Sequence, residues 1–364
     1  MKEKRGLTLL AFSLGLWLVG AFAKSAQAGE AKSTAGFLAK LIEGAKAEKE
    51  LNLLGGGGTW GDIGAARALE RAFNRHYGLS AKITFSPGPA MPEMAVRIAR
   101  EFKAGQKSAS DLYIGSESHF PGLSREKALN NYPWRQAFPH IPEEMIELDG
   151  QIVREASRFI GITYNSKLVS ERDLPRRLDD LLRPAWKGRI ASTPYAASFD
   201  RLAQVMGVER TREFLKKFSP HVAGLIRCGE EERLASGEFV LLALNCGNYV
   251  ADRAREHGLP VNAAVLEDAP MVGYWYLAVP RNSSHPNLAA LLVGFLLTPE
   301  GQKLRYDSVG ATAHLIEGTP ANRQYKELSA KGIQLKDFTA HYVIKHGKAL
   351  NQLRDEFQKI LQNR

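Results

Sequence analysis

Four consecutive glycines, Gly55, Gly56, Gly57 and Gly58, stand between a short apolar strand at 51–54 and a long helix that runs to Tyr77. The helix repeats Ala65, Ala66, Leu69, Ala72 and Phe73 at helical spacing and stops at Gly78, a residue suited to a left-handed C-cap. Strands are then expected at 82–85 and 111–114, with a helix at 92–102 between them and another helix at 34–49 ahead of the glycines. Strand and helix alternating over short loops build parallel βαβ units, so this stretch is expected to form an α/β layer. A second alternating series follows. Strands are expected at 159–164, 189–191, 223–227, 239–244, 263–266 and 275–279. Helices are expected at 178–182, 199–206, 210–218, 230–235 and 248–256. Two α/β halves thus share one chain, and a polar tail over 322–364 ends in an amphipathic helix carrying Ala349, Leu350, Leu353, Phe357, Ile360 and Leu361.

The first 28 residues set the compartment. Met1, Lys2, Lys4 and Arg5 lead into an apolar stretch from Gly6 to Ala23, and Ala26-Gln27-Ala28 supplies small residues at −3 and −1. This pattern predicts a signal peptide cleaved after Ala28 and a mature protein in the periplasm; an uncleaved membrane anchor is the alternative. No Cys stands at the cleavage point and no Arg-Arg pair precedes the apolar stretch. Export argues against enzymes that use nucleotide cofactors, and no cofactor is expected. The formal net charge of +10 is dispersed among acids. It is read as solubility and attraction of anions rather than nucleic-acid binding.

The motifs are sparse. Gly56-Gly57-Gly58-Thr59-Trp60-Gly61 matches G-x-G-x-x-G after a strand and before a helix, yet no acidic residue follows near Phe85. Glycines with a helix N-terminus behind them can receive an anion or a polar ligand; a tight turn without a ligand is the other reading. Ser116 and Glu117 follow one strand, Ser192, Thr193, Tyr195 and Ser198 another, and Asn245, Cys246, Asn248 and Tyr249 a third. Ligands in open α/β sheets collect beyond such strand ends, although Ser, Thr and Asn also serve as caps. The closest histidines, His341 and His346, are five apart and fit no zinc-protease motif, and no G-x-S-x-G elbow is present. Catalysis is not expected.

Five stretches carry a family resemblance: 51–77, Ser110-Asp111-Leu112-Tyr113, Gly161-Ile162-Thr163-Tyr164-Asn165-Ser166, Pro184-Ala185-Trp186-Lys187-Gly188-Arg189-Ile190, and Phe295-Leu296-Leu297-Thr298-Pro299-Glu300-Gly301-Gln302. Through them the chain resembles the type 2 periplasmic solute-binding proteins of ABC transporters, close to the ferric-iron-binding branch. The resemblance implies a type 2 periplasmic binding protein fold, with two α/β lobes joined by hinge strands near 158–164 and 274–279. It implies a first lobe of 29–160 plus 274–315 and a second of 161–273 plus 316–364. It also implies a monomer that closes on a small-molecule solute and delivers it to a membrane permease. A ligand sensor for a membrane receptor kinase is an alternative on the same fold.

Ferric members of the family bind iron through a Tyr-Tyr pair that here reads Tyr249-Val250, and several place a His where this chain has Gly58 or Thr59. No metal is therefore expected, Tyr249 being the ligand if iron is bound, and the solute is expected to be a small organic molecule or an oxyanion. The expected ligand-binding residues are Gly57, Gly58, Thr59, Trp60, Ser116, Glu117, Ser192, Thr193, Tyr195, Ser198, Asn248, Tyr249, Tyr274 and Trp275; the aromatics are equally suited to core and hinge packing. Cys228 and Cys246 follow strands expected to be parallel neighbours, joined by one short helix. If both ends share the ligand edge the two can form a disulfide; two buried thiols are the other reading.

Overall fold

In the computed structural model, which describes residues 36–362, a helix at 36–47 precedes β1 (Glu50–Gly55). This strand pairs in parallel with β2 (Lys82–Pro87) and β3 (Leu112–Ser116). The helix Ile63–Tyr77 connects β1 to β2. The Asp62 side chain caps it by accepting from the Ala65 N–H, and Gly78 ends it in the left-handed conformation. Its apolar face, Ala66, Leu69, Ala72 and Phe73, is buried against the sheet, as the spacing predicts. The helix Met91–Lys103 makes the second crossover. The predicted signal peptide lies outside the described residues. Among the described residues no helix is long and apolar enough to cross a membrane.

The rest of the first sheet comes from β4 (Ile146–Glu147), β5 (Ile152–Ile160), β11 (Met271–Ala278) and β12 (Lys336–Asp337). The order is β2-β1-β3-β11-β5-β4, with β12 against β11. The long strands β5 and β11 run antiparallel through the middle and are almost wholly buried. A second sheet is built from β6 (Ile162–Asn165), β7 (Ile190–Ser192), β8 (Val222–Leu225), β9 (Leu241–Ala243) and β10 (Val261–Ala264), in the order β10-β6-β9-β7-β8. Each sheet has its own apolar core.

The chain passes from the first sheet to the second at Gly161 alone, between β5 and β6, and returns over 265–270. Any side chain at Gly161 would collide with the Ala264 carbonyl and the Val265 backbone, so this crossing requires glycine. The return lies ahead of the expected 274–279, because Met271 already pairs with Ile160. Residues 316–338, expected with the second half, belong with the first sheet. Lys336 and Asp337 pair with Met271 and Val272, and Leu328 and Leu335 pack on a first-lobe cluster. The polar face of the helix Pro320–Ala330 hid this attachment from a reading of hydrophobicity. The last helix, Ala340–Gln362, does pack on the second lobe, through Leu350, Leu353 and Phe357.

One topological expectation is corrected. β8 and β9 are not neighbours, because β7 lies between them and pairs in parallel with both. Their C-terminal ends still share one edge. Cys228 and Cys246 form a disulfide across the end of β7, with 5.7 Å between their Cα atoms.

Candidate functional site

Both sheets send the C-terminal ends of their parallel strands to a common cleft of about 1430 Å³. From the first lobe come the glycine loop and the turn after β3. From the second come the loops after β7, β8 and β9, and between them lie Arg158 of β5 and Trp275 of β11.

At the back of the cleft three charged side chains meet. Glu117 is 1% exposed, Arg158 5% and Arg201 7%, so all three charges are withdrawn from water. Arg158 Nη2 donates to both Glu117 carboxylate oxygens at 2.7 and 2.8 Å, and Arg201 Nη2 donates at 3.3 Å. The Tyr274 N–H adds a third donor at 2.5 Å. Burial alone would raise the Glu117 pKa, but the two guanidinium groups and the backbone donors outweigh it and hold the carboxyl below its usual range. Burial lowers the Arg201 pKa, against the pull of Glu117. Two cations face one anion, and Nε of each arginine has no hydrogen-bond partner. Arg158 also lies over the Trp275 ring, 4.3 Å from its centroid. Gly273 of β11 makes room for the group, since a Cβ there would run into Glu117 and Arg201.

Neutral donors surround this centre. The Ser116 N–H donates to His119 Nδ1 at 3.0 Å, which leaves the ring proton on Nε2. Burial lowers the His119 pKa to about 4, so the ring is neutral near pH 7. Ser116, Ser118, Tyr195 and Ser198 also line the cleft. Nothing lies within 4 Å of where a side chain would stand on Gly57 or Gly58. Tyr249 is buried, and its hydroxyl accepts from Trp275 Nε1 at 3.3 Å. Burial raises its pKa, which keeps it a phenol. Among the described residues no three His, Cys, Asp or Glu side chains converge to hold a metal.

Residues 116–322 match the bacterial extracellular solute-binding proteins. The chain belongs to that family. The solute-binding protein is 25% identical over 268 residues to the major ferric iron-binding protein of Neisseria meningitidis serogroup B, covering 66% of this chain and 74% of the relative. The fold matches iron-bound HitA from Pseudomonas aeruginosa with a TM-score of 0.68 at 21% identity, covering 84% of this chain and 99% of that one. It also matches a spermidine/putrescine ABC transporter protein from Listeria monocytogenes with a TM-score of 0.64 at 16% identity, covering 85% and 99%. These structures share the two-lobed architecture.

Of the residues expected at the ligand, the solute-binding protein brings Gly57, Gly58, Thr59, Ser116, Glu117, Tyr195, Ser198, Tyr249 and Trp275 to the cleft wall, with Cys228 and Cys246 beside them. Five others face elsewhere. Trp60 is buried in the first-lobe core under the Arg305 guanidinium. Ser192 is buried within β7, and Thr193 donates to Ser198 Oγ at 3.0 Å. Asn248 braces the hinge, accepting from the Phe159 N–H at 3.1 Å and donating to Gln324. The Tyr274 ring lies against Arg154 and His314, away from the cleft.

Proposed function

We propose that this solute-binding protein is a periplasmic receptor that captures a small anionic solute, an organic acid or other oxyanion, between its lobes and delivers it to an ABC-transporter permease. The observation that carries this reading is the excess of cation at the back of the cleft, where Arg158 and Arg201 both pair with Glu117 while Asp200, the other buried carboxyl near Arg201, is taken by Arg354. A buried site with uncompensated positive charge favours a ligand that brings the missing anion. Neutral donors from His119 and the serines suit the remaining oxygens of such a ligand. The cleft exceeds the size usual for a small-molecule pocket, about 300–1,000 Å³, so it has room for an organic body and for lobe closure.

The iron named for the relatives is not the cargo this cleft suits. Val250 follows Tyr249 where a second phenol would stand, and Tyr249 itself is engaged by Trp275. Calorimetric titration of the purified protein with a panel of carboxylates, phosphate and phosphonates tests the reading. At least one anion should bind, and Arg201→Gln should weaken that binding at least tenfold, about 1.4 kcal/mol. Binding that is indifferent to Arg201→Gln would remove this site from the function.

A further inference from the structure

In the same cleft as the arginine pair, the second lobe places a carboxyl that this reading leaves unused. Glu231 lines the cleft and is 4% exposed. Among the described residues no lysine, arginine or histidine reaches it as an ion-pair partner. Its neighbours differ in this respect: Glu230 pairs with Arg233 at 3.6 Å, and Glu232 is exposed. Hydrogen bonds from its own N–H and that of Gly229 satisfy its oxygens without neutralising its charge. The cleft therefore holds two kinds of buried group that an ion of opposite sign would complete, the cations Arg158 and Arg201 and the carboxyl of Glu231. Tyr249 links them, since Arg158 lowers and Glu231 raises the pKa of its hydroxyl.

We propose that the solute is zwitterionic, its anionic end held by Arg158 and Arg201 and an ammonium group held by Glu231. The inference rests on the anion-capturing reading above and adds the second charge. A ligand carrying only the anion would leave Glu231 buried without a partner, whereas an ammonium group completes it. Discrimination then comes from the penalty on ligands that lack the second charge.

The test uses a ladder of ω-amino acids, glycine to aminooctanoate, and the matching ω-aminoalkylphosphonates. Each is titrated beside its N-acetyl form and the plain alkanoate or alkylphosphonate. At least one zwitterion should bind about tenfold or more tightly than its N-acetyl form. Glu231→Gln should erase that preference by weakening the zwitterion without weakening its N-acetyl form, and Glu231→Asp, which keeps the charge, should retain part of it. Equal affinity for free and acetylated forms, a preference that survives Glu231→Gln, or binding confined to the plain anions would overturn the zwitterion and leave the anion site standing. Plain-anion binding that ignores Arg201→Gln would instead overturn the underlying reading.

Discussion

Arg201 of the second lobe donates to Glu117 of the first at 3.3 Å, and neither side chain is more than a few per cent exposed. An ion pair between lobes at the base of the cleft ties their relative position to the charge state of the site. Removing one partner of such a buried group leaves the others charged and dry, which typically costs about 3–5 kcal/mol. Glu117→Ala should therefore lower the stability of the ligand-free protein by that order in chemical denaturation. Replacing Arg201 by Leu in the same protein should return part of the loss. A single-variant cost below about 1 kcal/mol, the range of exposed pairs, would show that water reaches the group.

The glycine loop separates structural from functional positions. A side chain on Gly55 would run into Thr59, which packs back on the turn by donating to the Gly56 carbonyl at 2.7 Å. Gly58 has an ordinary φ and open cleft beside it. Gly58→Val should fill ligand space and abolish binding of any solute that protects the wild type, while the melting temperature of ligand-free protein shifts by no more than a surface substitution would cause. Equal affinity in variant and wild type would take this loop out of the site.

The bridge between Cys228 and Cys246 spans 18 residues of chain and pins the turn ahead of Tyr249. Loop entropy gives such a closure roughly 3 kcal/mol. Cys228→Ser/Cys246→Ser should unfold at lower denaturant by about that amount, and unreduced, denatured wild type should take up no thiol label. Two reactive thiols per chain would contradict the bridge.

The first lobe was legible because its strands and helices keep their periodicities, from β1 through the helix Met91–Lys103. The second was less so, since β7 and β9 are three residues each and sheet order follows from contacts that no local pattern encodes. The cleft loops could be read from their hydroxyls and glycines at strand ends. Glu117 is legible at such a strand end too, but the arginines that bind it are not. Arg158 lies inside a strand that is otherwise read as hinge, and Arg201 inside a short helix. The available signal was that a charge within a fully buried strand requires a partner, but the partner, Glu117, is 41 residues away. Trp60 and Tyr274 were drawn to the site by chemistry that serves equally well in a core.

Iron offers a direct contrast with the relatives. Tyr249 is held as a phenol by burial and accepts from Trp275, and Val250 cannot ligate. Ferric citrate should give no tyrosinate-to-iron charge-transfer colour on addition to the apo-protein. A stoichiometric coloured complex that disappears in Tyr249→Phe would reverse this assignment.

The charge on Glu231 should be visible in stability as well as in binding. Burial raises its pKa from 4.5 to about 7, so the folded protein holds this proton more tightly than the unfolded chain does. Its contribution is fully present below pH 4.5, declines as pH rises, and is lost above about 7. Glu231→Gln lacks that decline. Asp200, raised by burial to about 6, and His119, lowered to about 4, also titrate in this window but are present in both proteins, so they cancel in the difference. The stability of Glu231→Gln relative to wild type should climb between pH 4.5 and 7, by at most about 3 kcal/mol, in denaturation curves without solute. A zwitterion that pairs with Glu231 should narrow this gap at pH 7.5 by stabilising the wild type more than the variant. Parallel pH profiles for the two proteins would show that Glu231 titrates as an ordinary exposed carboxyl.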